Sequence, residues 1–198
     1  MEFSEREEVR DLLKRTAVAL KQADVPFALC GGYAAWARGA PEPVHDADFL
    51  VAAAEAERAR KALADAGLDV VEPAEDWLVK VMGEKAFVDV LWRTCGHPVE
   101  RELVDRSEVL PVLSVQMPVL TATDVVVTKL HALEEHYCDF GRLLPVARAL
   151  REQVDWDVVR REVAGNAFAV AFLLLLERLG IVAGPSGGMP EPHGGVGG

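Results

Sequence analysis

Positive charge is scarce in this chain. Its 198 residues hold 21 Lys and Arg against 32 Asp and Glu, a formal net charge of −11. Proteins grip phosphate backbones by releasing counterions with Lys and Arg. An extended nucleic-acid footprint is therefore not expected, though a local RNA contact, or metal-mediated binding of one nucleotide, stays open. Cysteine is scarce too. Cys30, Cys95 and Cys138 are scattered without motif spacing, which argues against a disulfide framework and for reduced thiols in a cytoplasmic protein. Long apolar runs are missing. The longest, Ala167 to Leu176, is too short to span a bilayer, so no membrane partner is expected. The opening MEFSEREEVRDLLKR is charged and lacks an apolar core, so a signal peptide is not expected there. What the chain does have is bulk apolar content: 51% of residues are hydrophobic and 27% charged. That suits a soluble domain with a real core, or one domain with a small helical extension.

The hydrophobic pattern orders the elements. Residues 4–23 read as an amphipathic helix, with Val9, Leu12, Leu13, Thr16, Val18, Ala19 and Leu20 on one side. Phe27 to Cys30 is a short buried strand, Gly31-Gly32 a turn, and 33–38 a short helix closed by Gly39. A second strand covers 47–51. An Ala-rich helix follows over 53–66, with a third strand at 68–71. Residues 77–82 and 86–92 flank Gly83-Glu84-Lys85 as a β-hairpin. Residues 96–108 are irregular or briefly helical. The stretch 109–119, with Pro111 and Pro118, is suited to edge strands. Helices are then expected over 121–137, 141–151, 155–164 and 167–179, with Thr121 and Asp124 as a capping pair. The Gly/Pro-rich stretch 183–198 is expected to be disordered. By element order the fold is α+β or α/β.

Two residues in the second strand region raise a question. Asp46 and Asp48 lie two apart, so in a strand they project from one face, their α-carbons about 6.5–7 Å apart. Like charges so placed repel, and partial burial raises their pKa values. A hard cation relieves the conflict, and Mg²⁺ is typically held by one or two carboxylates together with substrate phosphates. Asp89 is a third candidate, standing alone in the apolar run Phe87 to Leu91. Three aspartates on adjacent strands could hold one or two ions for an in-line phosphoryl displacement. Gly31-Gly32, between a strand and a helix, would let a phosphate approach the backbone.

Gly31-Gly32, then Asp46-Ala47-Asp48-Phe49, then Asp89 resembles the nucleotidyltransferase pattern of the DNA polymerase beta superfamily. More closely, GGYAAWARGAPEPVHDADFLV and LTATDVVVTKLHAL look like small bacterial stand-alone nucleotidyltransferases, including abortive-infection-type relatives. The resemblance covers roughly residues 25–150 and implies an α+β fold: a small mixed β-sheet flanked by helices, followed by a helical C-terminal part. The corresponding division is a catalytic domain at 1–120, helices at 121–182 and the tail at 183–198. It further implies transfer of a nucleoside monophosphate from an NTP to a hydroxyl acceptor, with Mg²⁺ or Mn²⁺ as cofactor. Asp46, Asp48 and Asp89 would be catalytic residues and metal ligands. Gly31, Gly32 and Lys129 would hold the triphosphate. The acceptor, whether small molecule, protein or RNA, is left open. The resemblance also admits a non-catalytic binding protein of the same fold, and a tRNA-modifying toxin of a toxin–antitoxin system. Relatives often carry Arg, then Thr or Ser two residues on, in the loop before the aspartates. Here those places are Glu42 and Val44, and an acid beside a triphosphate is electrostatically unhelpful.

Each residue also has a plainer reading. Asp89 could be a salt-bridged strand residue with Lys80 or Lys85 as its partner. Gly31-Gly32 could be an ordinary turn, and Lys129 a solvated helix lysine. His131, His136 and Cys138 are too loosely spaced for a zinc site. Trp36, Trp77, Trp92 and Trp156 read as packing residues, and Asp139 as a helix cap. The helices at 141–179 would cover the nucleotide cleft or form a homodimer contact.

Overall fold

The computed structural model describes residues 2–184. All but the first two residues of the expected disordered stretch, 183–198, lie outside them. The chain opens with α1 (Glu2–Gln22), β1 (Phe27–Cys30), α2 (Gly31–Ala37) and β2 (Asp46–Val51). A single 3₁₀ turn, Ala53–Glu55, leads into α3 (Ala56–Asp65), followed by β3 (Asp69–Val71), β4 (Leu78–Met82) and β5 (Phe87–Leu91). A small hairpin, β6 (Arg93–Thr94) and β7 (His97–Pro98), precedes α4 (Arg101–Asp105), β8 (Glu108–Val112) and β9 (Val115–Val119). Four helices follow among the described residues: α5 (Ala122–His131), α6 (Phe140–Leu150), α7 (Trp156–Glu162) and α8 (Ala167–Arg178).

Seven strands form one mixed sheet in the order β3-β4-β5-β2-β1-β9-β8. The β2–β5 and β1–β9 pairs are parallel; the others are antiparallel. The sequence explains the centre of this sheet. All four residues of β1 are buried, as a strand covered on both faces requires. In β2 the alternation is split: Ala47, Phe49 and Val51 are fully buried, while Asp46 and Asp48 are partly exposed. Helix α1 packs across β2 and β5 and against α3, burying Val9, Leu12, Leu13, Thr16 and Leu20. Val18, expected on the same side, is 37% exposed. One hydrophobic cluster runs from Val9 to Val182.

Several boundaries differ from the sequence reading. Gly31 and Gly32 are the first turn of α2, not a turn ahead of it. The stretch 109–119 gives one edge strand, β8, whereas β9 lies inside the sheet. Pro118 is accommodated because β9 meets β1 at the single register pair Leu29↔Val119. Helix α5 ends at His131 rather than 137. Asn166 is the physical reason. Its side-chain amide donates to the carbonyls of Leu133 (2.9 Å), Leu130 (3.3 Å) and His131 (3.5 Å), satisfying acceptors that a helix end leaves open. Its Oδ1 accepts from the amides of Phe168 and Ala169, so one side chain closes α5 and opens α8. His136 and Cys138 therefore lie in the connection before α6, not in a helix. The expected Thr121 cap is present, with the Asp124 amide donating to its Oγ1 at 3.1 Å. Asp139 caps α6 at 3.2 Å.

Candidate active site

The β2–β5 register sets the carboxylates. Asp48 stands opposite Asp89 on β5 and opposite Cys30 on β1, and Asp46 stands opposite Phe87. Asp46, Asp48 and Asp89 therefore share one sheet face. Gly31 begins α2 directly against this row, with φ +63°. A Cβ there would lie 1.9 Å from Asp48 Oδ2. Glycine is thus required twice, for the backbone angle and for the space the carboxylate occupies. A Cβ on Gly32 would meet Pro43 at 3.0 Å.

The three acids are not equivalent. Among the described residues neither Asp46 nor Asp48 carries a side-chain hydrogen bond or ion pair. Burial, then the charges of Asp46 and Asp89, push the Asp48 carboxyl up to about 7, against a smaller pull from Lys129 and Lys80. Asp89 has its own cation. Lys80, directly across the β4–β5 pair, donates to its Oδ1 at 2.7 Å. Burial raises the Asp89 pKa, and the Lys80 bond and charge work against that rise. The salt-bridge partner is therefore Lys80, not Lys85. Cys30 is buried beside the row, and burial followed by the Asp48 charge raises its thiol well above the ordinary value.

Lys129 projects from α5 toward the same face. With Asp46, Asp48 and Gly32 it lines a cleft of about 680 Å³. The far wall comes from the α5–α6 connection and α6, including Tyr137, Asp139 and Arg142. A smaller pocket of about 230 Å³ adjoins, sharing Asp48 and Lys129 and adding Thr94, Thr128 and Leu91. The structure therefore brings Gly32, Asp46, Asp48 and Lys129 into one cleft. Gly31 lies in the adjoining pocket, and Asp89 one strand away.

Glu42 lines the cleft but does not enter it as a free acid. Arg10 of α1 clamps it at both oxygens, Nε to Oε1 at 2.7 Å and Nη2 to Oε2 at 2.6 Å. That bond holds the Glu42 carboxyl below its ordinary range. Arg10 and Arg142 carry no motif spacing relative to the aspartates; 32 residues separate Arg10 from its partner, so only the fold joins them. Tyr137, 64% exposed in the cleft wall, gave no sequence signal beyond its type. The other candidates have structural roles. Trp36 stacks edge-on with Tyr33, Trp92 and Trp156 donate to main-chain carbonyls, and no tryptophan is among the described residues that line the cleft. No group of three or more His, Cys, Asp or Glu among the described residues is arranged to enclose an ion by itself. The oxygen-only set of Asp46 and Asp48, with no cation of its own, nonetheless fits a hard cation that substrate phosphates complete.

No protein-family model and no curated protein matches the sequence. Solved structures do match in shape. The solution structure of the antibiotic-resistance factor ANT(2'')-Ia is 14% identical, with a TM-score of 0.59, over 91% of this chain and 99% of that one. A crystal structure of ANT(2'')-Ia in complex with adenylyl-2''-tobramycin is 11% identical, with a TM-score of 0.54, over 84% and 97% of the two chains. The lincosamide antibiotic adenylyltransferase LnuA, with lincomycin bound, matches at 13% identity and a TM-score of 0.44, over 68% and 91%. The chain thus has a nucleotidyltransferase-like α+β fold, a mixed sheet flanked by helices, shared over nearly its whole length with ANT(2'')-Ia.

Proposed function

We propose that this chain is a Mg²⁺-dependent nucleotidyltransferase that moves a nucleoside monophosphate from an NTP onto a hydroxyl of a small-molecule acceptor. The observation that carries the reading is the pair Asp46 and Asp48. They lie side by side in a cleft opposite Lys129 with no cation of their own.

Asp46 and Asp48 would hold the ion, and Asp89 would complete the acidic row. The ion, when bound, neutralises charge on the phosphoryl oxygens. Gly32, which lines the cleft, would let phosphate oxygens approach the first turn of α2, and Gly31 beside it would hold the triphosphate from the adjoining pocket, where it also makes room for the Asp48 carboxylate. Lys129 faces the triphosphate and stabilises charge developing on the leaving pyrophosphate. An acceptor oxygen attacks the α-phosphorus, the bond to the β-phosphate oxygen breaks, and the acceptor proton passes to Asp89 as general base. In this division of labour residues 1–120 supply the carboxylates, and 121–182 supply Lys129 and the far wall. The Arg10–Glu42 clamp supports triphosphate binding, because it offsets the acid that would repel a triphosphate. The net charge of −11 and the tobramycin adduct of the neighbour support a small-molecule acceptor over RNA.

The test is pyrophosphate release from each of the four NTPs with Mg²⁺, screened against hydroxyl-bearing small molecules, including aminoglycosides. The reading expects an acceptor whose mass rises by one nucleotide. Pyrophosphate release with no acceptor in the set, but with labelled tRNA, would replace the acceptor class.

A further inference from the structure

We propose that Lys80 is a resident cation of the acidic row, holding Asp89 so that the nucleotide-bound site takes one divalent ion, on Asp46 and Asp48, rather than two. This rests on the nucleotidyltransferase reading and assigns a positioning residue within it.

The register places four residues in one line across the sheet: Lys80 on β4, Asp89 on β5, Asp48 on β2 and Cys30 on β1. Neighbouring strands lie about 4.8 Å apart, so Lys80 stands beside the row as a built-in part of it. It is tied at two points. Its Nζ lies 2.7 Å from Asp89 Oδ1 and 4.1 Å from the centroid of the Phe87 ring. The side chains of Lys80 and Asp89 are 29% and 15% exposed, unlike a solvated surface pair, where such contacts count for little. The ring and the carboxylate together fix the ammonium.

The consequence concerns ion number. A two-ion phosphoryl-transfer site places its ions about 3.5–4 Å apart, between shared carboxylates. Here one of the three carboxylates already carries a positive charge at bonding distance, and the other two carry none. A second divalent ion at Asp89 would have to displace or sit against that ammonium. Asp46 and Asp48, with phosphate oxygens, are left to hold one ion. Lys80 supplies the remaining neutralisation and keeps Asp89 turned in place on its second strand.

The experiment counts ions. The full chain is loaded with one equivalent of a non-hydrolysable NTP analogue, and bound Mn²⁺ is counted by electron paramagnetic resonance for wild type, Lys80→Arg and Lys80→Met. Far-UV circular dichroism checks folding, and Lys80→Gln replaces Lys80→Met if the latter does not fold. The expected result is one Mn²⁺ per chain in wild type and Lys80→Arg, and two in the neutral variant. Two ions in wild type, or one in every variant, would overturn the inference and leave the nucleotidyltransferase reading standing. No ion and no analogue bound by wild type would overturn both.

Discussion

Two aspartates on opposite sides of the sheet-to-helix boundary, Asp124 and Asp48, meet burial in opposite ways. Asp124, at the start of α5 and 8% exposed, is surrounded by donors. Arg106 reaches it at 2.6 and 3.0 Å, and the Thr121 hydroxyl at 2.7 Å. Asp48 is raised by burial and by two neighbouring acids, yet no side-chain donor meets it among the described residues. A buried charge is tolerated when paired and costly when not. Asp124 is an acid of the structure. Asp48 has no such donor, so the fold keeps it at a cost to stability that the proposed ion would relieve.

The largest expected effect falls on Asp48 and its neighbour. Asp46→Asn/Asp48→Asn should lower nucleotidyl transfer by roughly 10³-fold or more, in keeping with removal of the charges that organise a phosphoryl-transfer site. Steady-state assays on the folded variant check this. Asp124→Ala should do the reverse. It should destabilise the fold by about 2–3 kcal/mol, since it takes the acceptor from the Thr121 hydroxyl proton and ends the Arg106 fork, with activity per folded molecule unchanged. Urea unfolding alongside the assay measures both.

The third prediction uses pH. The folded Asp48 carboxyl is raised to about 7 from the usual 3.8. Below the lower value it is protonated in both states and costs nothing. As pH rises toward 7 the unfolded chain has ionised while the folded chain still holds the proton, so wild type loses stability across that window. Asp48→Asn removes the effect. The variant should be more stable than wild type by about 2 kcal/mol above pH 7, roughly half of what the full shift would supply because Asp48 is partly exposed, and equal to it near pH 4, as thermal melts across pH would show. A variant no more stable than wild type at high pH would break the contrast with Asp124. Smallest is Asn166→Ala, about 1–2 kcal/mol from the loss of a helix N-cap and of the α5 carbonyl partners. Thermal unfolding reads it, with the ion count at the active site unchanged.

Much of this arrangement was legible in the sequence, for identifiable reasons. The β1 strand, the β4–β5 hairpin and the Asp46/Asp48 facing follow from local periodicity, which a strand obeys whatever surrounds it. Asp89 stood out because a lone charge in an apolar run needs a partner. The parts that were not legible depend on distant contacts. Arg10 meets Glu42 across 32 positions, and Asn166 ends a helix 33 to 36 positions upstream. The short β6–β7 hairpin has only two residues on each side, too few for a period to register. The Lys80 partnership was visible only as one of two options until the register placed Lys80 opposite Asp89.

The central claim, that Asp46 and Asp48 are unpaired because a metal and a triphosphate belong with them, has one direct test. Calorimetric titration of each NTP, with and without Mg²⁺, on wild type and on Asp46→Asn/Asp48→Asn would perform it. The account predicts heat of binding for at least one nucleotide in wild type that needs Mg²⁺ and disappears in the variant. Binding that survives in the variant or without metal, or no binding to any of the four, would contradict it.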